Sequence, residues 1–214
     1  VKALHTSSLA AVRYRSAPAR WRRLVPALLC VLVAPAPTAT AQQRPAPFET
    51  LDLSIELLAD IQQARLQRHW SPGPALGLGL AFPFYLGNIE LGVQLSRPSA
   101  RQVSLPDFSS LFVYVGWSGT RKLGRRLQAQ AGLRAGIVGL SFDVDTIPAF
   151  RQYEREPAVT ARGGLRWTPR DTWFTEAAVA WHSVFTEPRI EQIFLSAGVG
   201  RRFRTPTWLR DFLD

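Results

Sequence analysis

The sequence predicts an all-β chain: an eight-stranded antiparallel up-and-down β-barrel that crosses a membrane, made after removal of an N-terminal signal peptide. Three observations predict it. Apolar and polar residues alternate with a period of two through eight successive segments, as half-exposed strands require. The connections between those segments alternate in length, as they do in membrane barrels with short turns on one side and longer loops on the other. The face opposite the oily one is rich in glycine, and the whole chain holds only two lysines, Lys2 and Lys122.

Residues 1–41 read as the signal. Six of the 26 Lys and Arg residues lie there and none of the 16 acids, a basic stretch ends at Arg22-Arg23, and an apolar run follows from Leu24 to Val33. Ala39-Thr40-Ala41 then supplies the small-x-small cleavage pattern, so the exported chain is expected to begin at Gln42. The apolar run is interrupted by Pro26 and falls short of the roughly 20 residues a spanning helix needs. Cys30 lies inside it and is the only cysteine, so the exported chain has no disulfide. With the signal removed, 20 bases face 16 acids. That excess is too mild for an electrostatic nucleic-acid binder, and no nucleic-acid partner is expected.

The strands follow in order. In 51–59, Leu51, Leu53, Ile55 and Leu57 oppose Asp52, Ser54 and Glu56. In 75–85, Leu76, Leu78, Leu80, Phe82 and Phe84 oppose Gly77 and Gly79; in 88–96, Ile89, Leu91, Val93 and Leu95 oppose Glu90, Gly92 and Gln94. The fourth, 110–118, sets Leu111, Val113, Val115 and Trp117 against Phe112, Tyr114 and Gly116. The fifth, 126–142, opposes Leu133 and Ile137 to Gln130 and Arg134, and the sixth, 158–168, opposes Leu165 and Trp167 to Arg162 and Arg166. The seventh, 173–184, sets Val179 and Trp181 against Glu176 and His182; the eighth, 192–203, sets Leu195 and Val199 against Gly198, Gly200 and Arg202. The connections near 85–88, 119–125 and 169–172 are the shorter ones; those at 60–74, 97–109 and 143–157 are longer and contain prolines, and the connection from Phe185 to Glu191 is the exception, short for an outer loop. With eight strands, both termini fall on the short-turn side.

Alternation leaves open which face points out. A soluble lipocalin-like barrel would turn the oily face inward around a ligand. Its water-exposed face would then carry Lys and Glu, whereas the face here is dominated by small residues that suit the inside of a narrow barrel. Outward aromatics also gather at the short-turn end, at Phe82, Phe84, Trp117, Trp167, Trp173 and Phe203, where an interfacial girdle belongs.

On these residues the chain from Phe48 to Phe203 resembles the small eight-stranded bacterial outer-membrane barrels of the OmpA and OmpX type. The last strand resembles the assembly signal of that class, with Gly198 and the terminal aromatic Phe203, and departs from it at Arg201, where an apolar residue is the rule. The resemblance implies residence in the outer membrane, lipid and lipopolysaccharide neighbours, contact with an assembly machine, a monomeric state and no cofactor or metal. It leaves 42–203 as the barrel and 204–214 as a short periplasmic tail, in which Trp208, Leu209, Phe212 and Leu213 suit either an interfacial turn or a frayed terminus.

Chemistry-bearing constellations are few. Inward parity gathers Asp52, Glu56, Glu90 and Glu176 with Arg134, Arg162, Arg166, Arg202 and His182. Four acids and four arginines in a narrow lumen neutralise one another, so the expected result is a salt-bridged plug more readily than an ion path. Arg166 and Glu176 flank the Pro169-Arg170-Asp171-Thr172 turn, and closure brings Arg202 to Asp52. No catalytic site is expected, and the roles left open are envelope integrity, surface interaction or limited passage of small solutes. The runner-up is a lipid A deacylase-like hydrolase using His182, Ser183, Glu187 and Glu191, although adjacency sends His182 and Ser183 to opposite faces. In the loops, Arg65, Arg68, His69 and Trp70 suit contact with an anionic surface, although a basic-aromatic loop at a membrane surface is more often simply solvated and anchored, while Asp143, Asp145, Glu154 and Glu156 are interleaved with Arg151 and Arg155, which argues against a cation site.

Overall fold

A computed structural model describes residues 47–62, 69–71, 73–103, 105–143, 153–187 and 189–213. The expected signal, with its cleavage site, and Arg65, Arg68, Asp145 and Arg151 lie outside them. Eight antiparallel strands form one closed barrel: β1 (Thr50–Gln62), β2 (Ala75–Phe84), β3 (Gly87–Ser96), β4 (Phe108–Lys122), β5 (Leu127–Phe142), β6 (Tyr153–Arg170), β7 (Trp173–Val184) and β8 (Ile190–Arg204). Each strand pairs with its neighbours in sequence, and β8 closes on β1 with Asp52 opposite Arg202 and Glu56 opposite Gly198. A seven-residue helix, α1 (Thr207–Leu213), follows β8 in the tail.

All eight expected strands form, most with shifted ends, and the shifts that matter are in β4 and β6. β4 runs on to Lys122, which leaves Leu123–Arg126 as a tight turn whose Leu123 N–H donates to the Leu127 carbonyl at 2.9 Å. β6 begins at Tyr153, five residues before the expected start, and carries Pro157 inside it. Proline reads as a break, yet here Tyr153–Pro157 pairs only with β5, because the β6–β7 ladder starts at Ala158. A proline on such an edge forfeits no ladder bond. The bulge between Trp167 and Arg170 accommodates Pro169 in the same way.

The oily face points out. Leu53, Ile55, Leu57, Leu76, Leu78, Leu91, Leu95, Leu111, Val113, Val115, Leu133, Ile137, Leu165, Val179, Leu195 and Val199 are all exposed around the barrel wall. In water this belt would be an exposed apolar surface far beyond what a monomeric protein tolerates; in a bilayer it faces hydrocarbon, and ring closure leaves no strand edge with unsatisfied backbone groups. The soluble lipocalin-like alternative needs the opposite arrangement. Trp117, Trp167, Trp173 and Phe203 are exposed on the outer wall at the short-turn end, as a girdle requires. Phe84 is half-buried, and Phe82 departs from expectation: outward by parity, it is buried under Phe48, whose ring packs edge-on at 6.1 Å while its N–H donates to the Pro83 carbonyl at 3.0 Å.

Candidate functional site

The inner face is built in two layers. In the half nearer the termini, the eight expected charges form one unbroken chain of alternating sign. Arg202 on β8 holds Asp52 on β1 with two nitrogens, Nε to Oδ1 at 2.7 Å and Nη2 to Oδ2 at 2.9 Å. Asp52 Oδ2 also accepts from Arg166 Nη1 on β6 at 2.6 Å, and Arg166 Nε donates to Glu176 Oε1 on β7 at 2.8 Å. Glu176 Oε2 accepts from Arg162 Nη2 at 2.9 Å, and Arg162 Nη1 donates to Glu56 Oε1 at 2.9 Å. Glu56 lies 3.6 Å from Arg134 Nη2, and Arg134 Nε on β5 donates to Glu90 Oε2 on β3 at 2.8 Å.

The chain thus runs Arg202, Asp52, Arg166, Glu176, Arg162, Glu56, Arg134, Glu90, and it ties β8, β1, β6, β7, β5 and β3 across the lumen. Register makes the first contacts: Arg166 and Glu176 are directly opposite on β6 and β7, as are Asp52 and Arg202 on β1 and β8. The long links between Arg162 and Glu56, or Arg134 and Glu90, are not between direct cross-strand partners and depend on the narrowness of the barrel. Within this chain the charges balance, four guanidinium groups against four carboxylates, so its burial leaves no net charge to neutralise.

Glycine makes the room. A Cβ on Gly116, opposite Arg134, would lie 2.9 Å from the Arg134 side chain, and one on Gly200 would overlap the buried ring of Phe174. That ring in turn lies under the Arg166 guanidinium, 4.1 Å from it, a cation–π contact that covers a charge already paired at its edge.

His182 is not part of this chain, which corrects the expectation that it joins the lumen charges. Its Nδ1 is 2.8 Å from the Thr160 hydroxyl, and its ring packs on Phe112 at 4.9 Å and Phe194 at 6.0 Å. It belongs to the second, outer layer, where two apolar clusters line the inner face beside the polar Gln94, Ser96, Ser110, Gln192 and Asp60: Phe108, Phe112, Tyr114, Val138, Leu140, Ala158 and Val184 form one cluster and Leu58, Ala75, Ala180 and Phe194 another. Tyr114 joins the layers, stacked on Phe112 and lying beneath Arg134 at 4.5 Å. Trp70 packs against this layer. Expected in a loop that is solvated and anchored at the membrane surface or touches an anionic one, it instead folds in, with Nε1 donating to the Pro106 carbonyl at 2.9 Å and its ring edge-on to Phe108. A two-residue ladder pairing Trp70 with Ala100 and Ser71 with Ser99 holds it there.

The runner-up hydrolase constellation does not assemble. His182 points into the lumen and its neighbour Ser183 to the other face; Ser183 Oγ has no hydrogen-bond partner, and Glu187 and Glu191 are exposed. Among the described residues no group of three His, Cys, Asp or Glu side chains is placed to hold a metal ion.

No protein-family model matches the sequence, and no curated protein matches it. Solved structures do. Neisserial surface protein A aligns with a TM-score of 0.59 at 11% identity, covering 74% of this chain and 99% of that one. Ail, the attachment invasion locus protein of Yersinia pestis, aligns at 0.51 with 12% identity over 72% and 99%, and the N-terminal barrel domain of Pseudomonas aeruginosa OprF at 0.50 with 10% identity over 74% and 100%. The fold is that of the small bacterial outer-membrane barrels. At these identities the likeness is one of fold, so the lumen of this barrel has to be read from its own residues. Reading parity alone misses Gln130, whose Nε2 donates to Glu176 Oε2 at 3.1 Å, and the aromatic rings of Phe174 and Tyr114 that carry two of the arginines. Gln130 was visible as an inward residue four before Arg134; what it touches depends on the cross-section of the barrel.

Proposed function

We propose that the chain is an integral outer-membrane barrel with a closed lumen, serving the integrity of the envelope and not the diffusion of solutes. The observation that carries this reading is the eight-residue chain of alternating charges from Arg202 to Glu90, which spans the lumen between opposite strands. An open pore lines its wall with charge and leaves water along the axis; here the guanidinium groups reach across and are satisfied by carboxylates. Above them the aromatic and aliphatic side chains of the outer layer, with Trp70 packed against them, narrow the other half of the lumen. The enzymatic reading has no such support.

The test is removal of the chain from a bacterium that makes it. Cells without it are expected to leak a periplasmic enzyme and to become detergent-sensitive, with both defects repaired by the wild-type chain. An unchanged envelope together with lost uptake of a small solute would replace this reading with the passage reading.

A further inference from the structure

The short-turn end of the barrel carries cations on one side only. Arg121, Lys122, Arg125 and Arg126 lie at the β4–β5 turn, Arg170 at the β6–β7 turn, and Arg201 and Arg204 at the end of β8, all exposed. These turns are adjacent around the rim, because β4 to β8 are consecutive in the sheet. The Thr168 N–H donates to the Arg126 carbonyl, and Arg170 and Arg201 are both register partners of Trp173. The other half of this rim, formed by β1 to β3, has no Lys or Arg among its described residues and presents Phe48, Phe84, Tyr85 and Leu86 instead. The opposite mouth mixes the two signs: Arg97, Arg101, Arg155 and Arg189 are exposed there among the exposed Asp107, Asp143, Glu187 and Glu191, so its basic groups are interleaved with acids and form no arc.

A basic arc on a periplasmic rim can face sideways into lipid headgroups or downward into the periplasm. Arg201 decides the direction. It is on the outer wall, and its guanidinium lies over the rings of Trp173 at 5.5 Å and Phe203 at 5.1 Å, both girdle aromatics. A cation held against interfacial aromatics is at headgroup height. Arg121 is on the same outer face four residues beyond Trp117, which puts it about 13 Å further along the strand. With strands tilted by about 40° that is roughly 10 Å along the membrane normal, within reach of the phosphate layer for a long side chain.

We infer that this arc is a binding surface for anionic phospholipid headgroups of the inner leaflet, so that the barrel gathers acidic lipids along β4 to β8 and not along β1 to β3. The chemistry is that of phosphate: guanidinium groups form forked, charge-assisted bonds to phosphate oxygens, and polybasic segments near an acidic surface are held by its potential.

The test uses the folded chain in bilayers of brominated phosphatidylcholine, which quenches girdle tryptophan fluorescence, titrated with unbrominated phosphatidylglycerol. Quenching in pure brominated phosphatidylcholine reports insertion itself, so a failure to insert is distinct from a failure of lipid choice. The expected result is that phosphatidylglycerol relieves quenching with a roughly three-fold or greater preference over its mole fraction. The preference should fall toward one in a chain with Arg121→Gln, Arg125→Gln, Arg126→Gln and Arg170→Gln, and in the wild type at high salt. Relief that follows mole fraction in the wild type would overturn the inference. So would a preference that survives all four substitutions, or charge-dependent co-sedimentation with peptidoglycan in place of any lipid preference.

Discussion

Glu176→Ala is expected to lower the unfolding free energy of the barrel in detergent or lipid by about 3 to 5 kcal/mol. Glu176 is the most connected carboxylate of the lumen, accepting from Arg166, Arg162 and Gln130. Its removal leaves Arg166 with Asp52 and Arg162 with Glu56, each guanidinium buried with half its partners gone. The loss comes less from the missing attraction than from stranding desolvated cations. In a chain already carrying Arg166→Ala, the same substitution should therefore cost less, by on the order of 1 kcal/mol or more. Denaturant midpoints of the four members of the cycle measure this. Additive losses would mean that water screens the pair and that the lumen is wet.

Arg162→Met should rank beside it, at roughly 3 kcal/mol. Among the described residues, Arg162 is the ion-pair link between the group built on Asp52 and Glu176 and the group built on Glu56 and Glu90. Methionine keeps much of the length and none of the charge, so Glu56 is left with Arg134 at 3.6 Å and the lumen with one negative charge in excess. Adding Glu56→Gln to Arg162→Met should recover part of the loss, because it removes the stranded carboxylate. A double variant less stable than Arg162→Met alone would show that Glu56 is held by Arg134 and does not depend on Arg162.

The sequence made the barrel legible because the physics of a strand in lipid is local. Leu53, Ile55 and Leu57 alternate with Asp52, Ser54 and Glu56 whatever the rest of the chain does, and one face must meet hydrocarbon. Pairs set by a tight turn or by closure, Arg166 with Glu176 and Arg202 with Asp52, were legible for the same reason, since register follows from turn geometry. Contacts across the lumen were not. That Arg162 on β6 reaches Glu56 on β1, and that His182 joins aromatic rings and not charges, depends on the height of each side chain and the width of the tube. The apolar clusters of the outer layer were hidden by β4, where Phe112 and Tyr114 on the inner face are as oily as Val113 and Val115 on the outer one. Trp70 was misread because a loop sequence does not say whether the loop folds back against the outer layer.

Single-channel recording in planar bilayers tests the closed lumen most directly. With the Arg202-to-Glu90 chain intact, the wild-type protein is expected to insert without steady current, whereas a chain carrying Glu56→Ala and Arg162→Ala, which removes side chains from mid-lumen, should pass brief or small currents. Large, steady currents from the wild-type protein would contradict the account, because they would require a continuous water path past charges that the structure joins to one another.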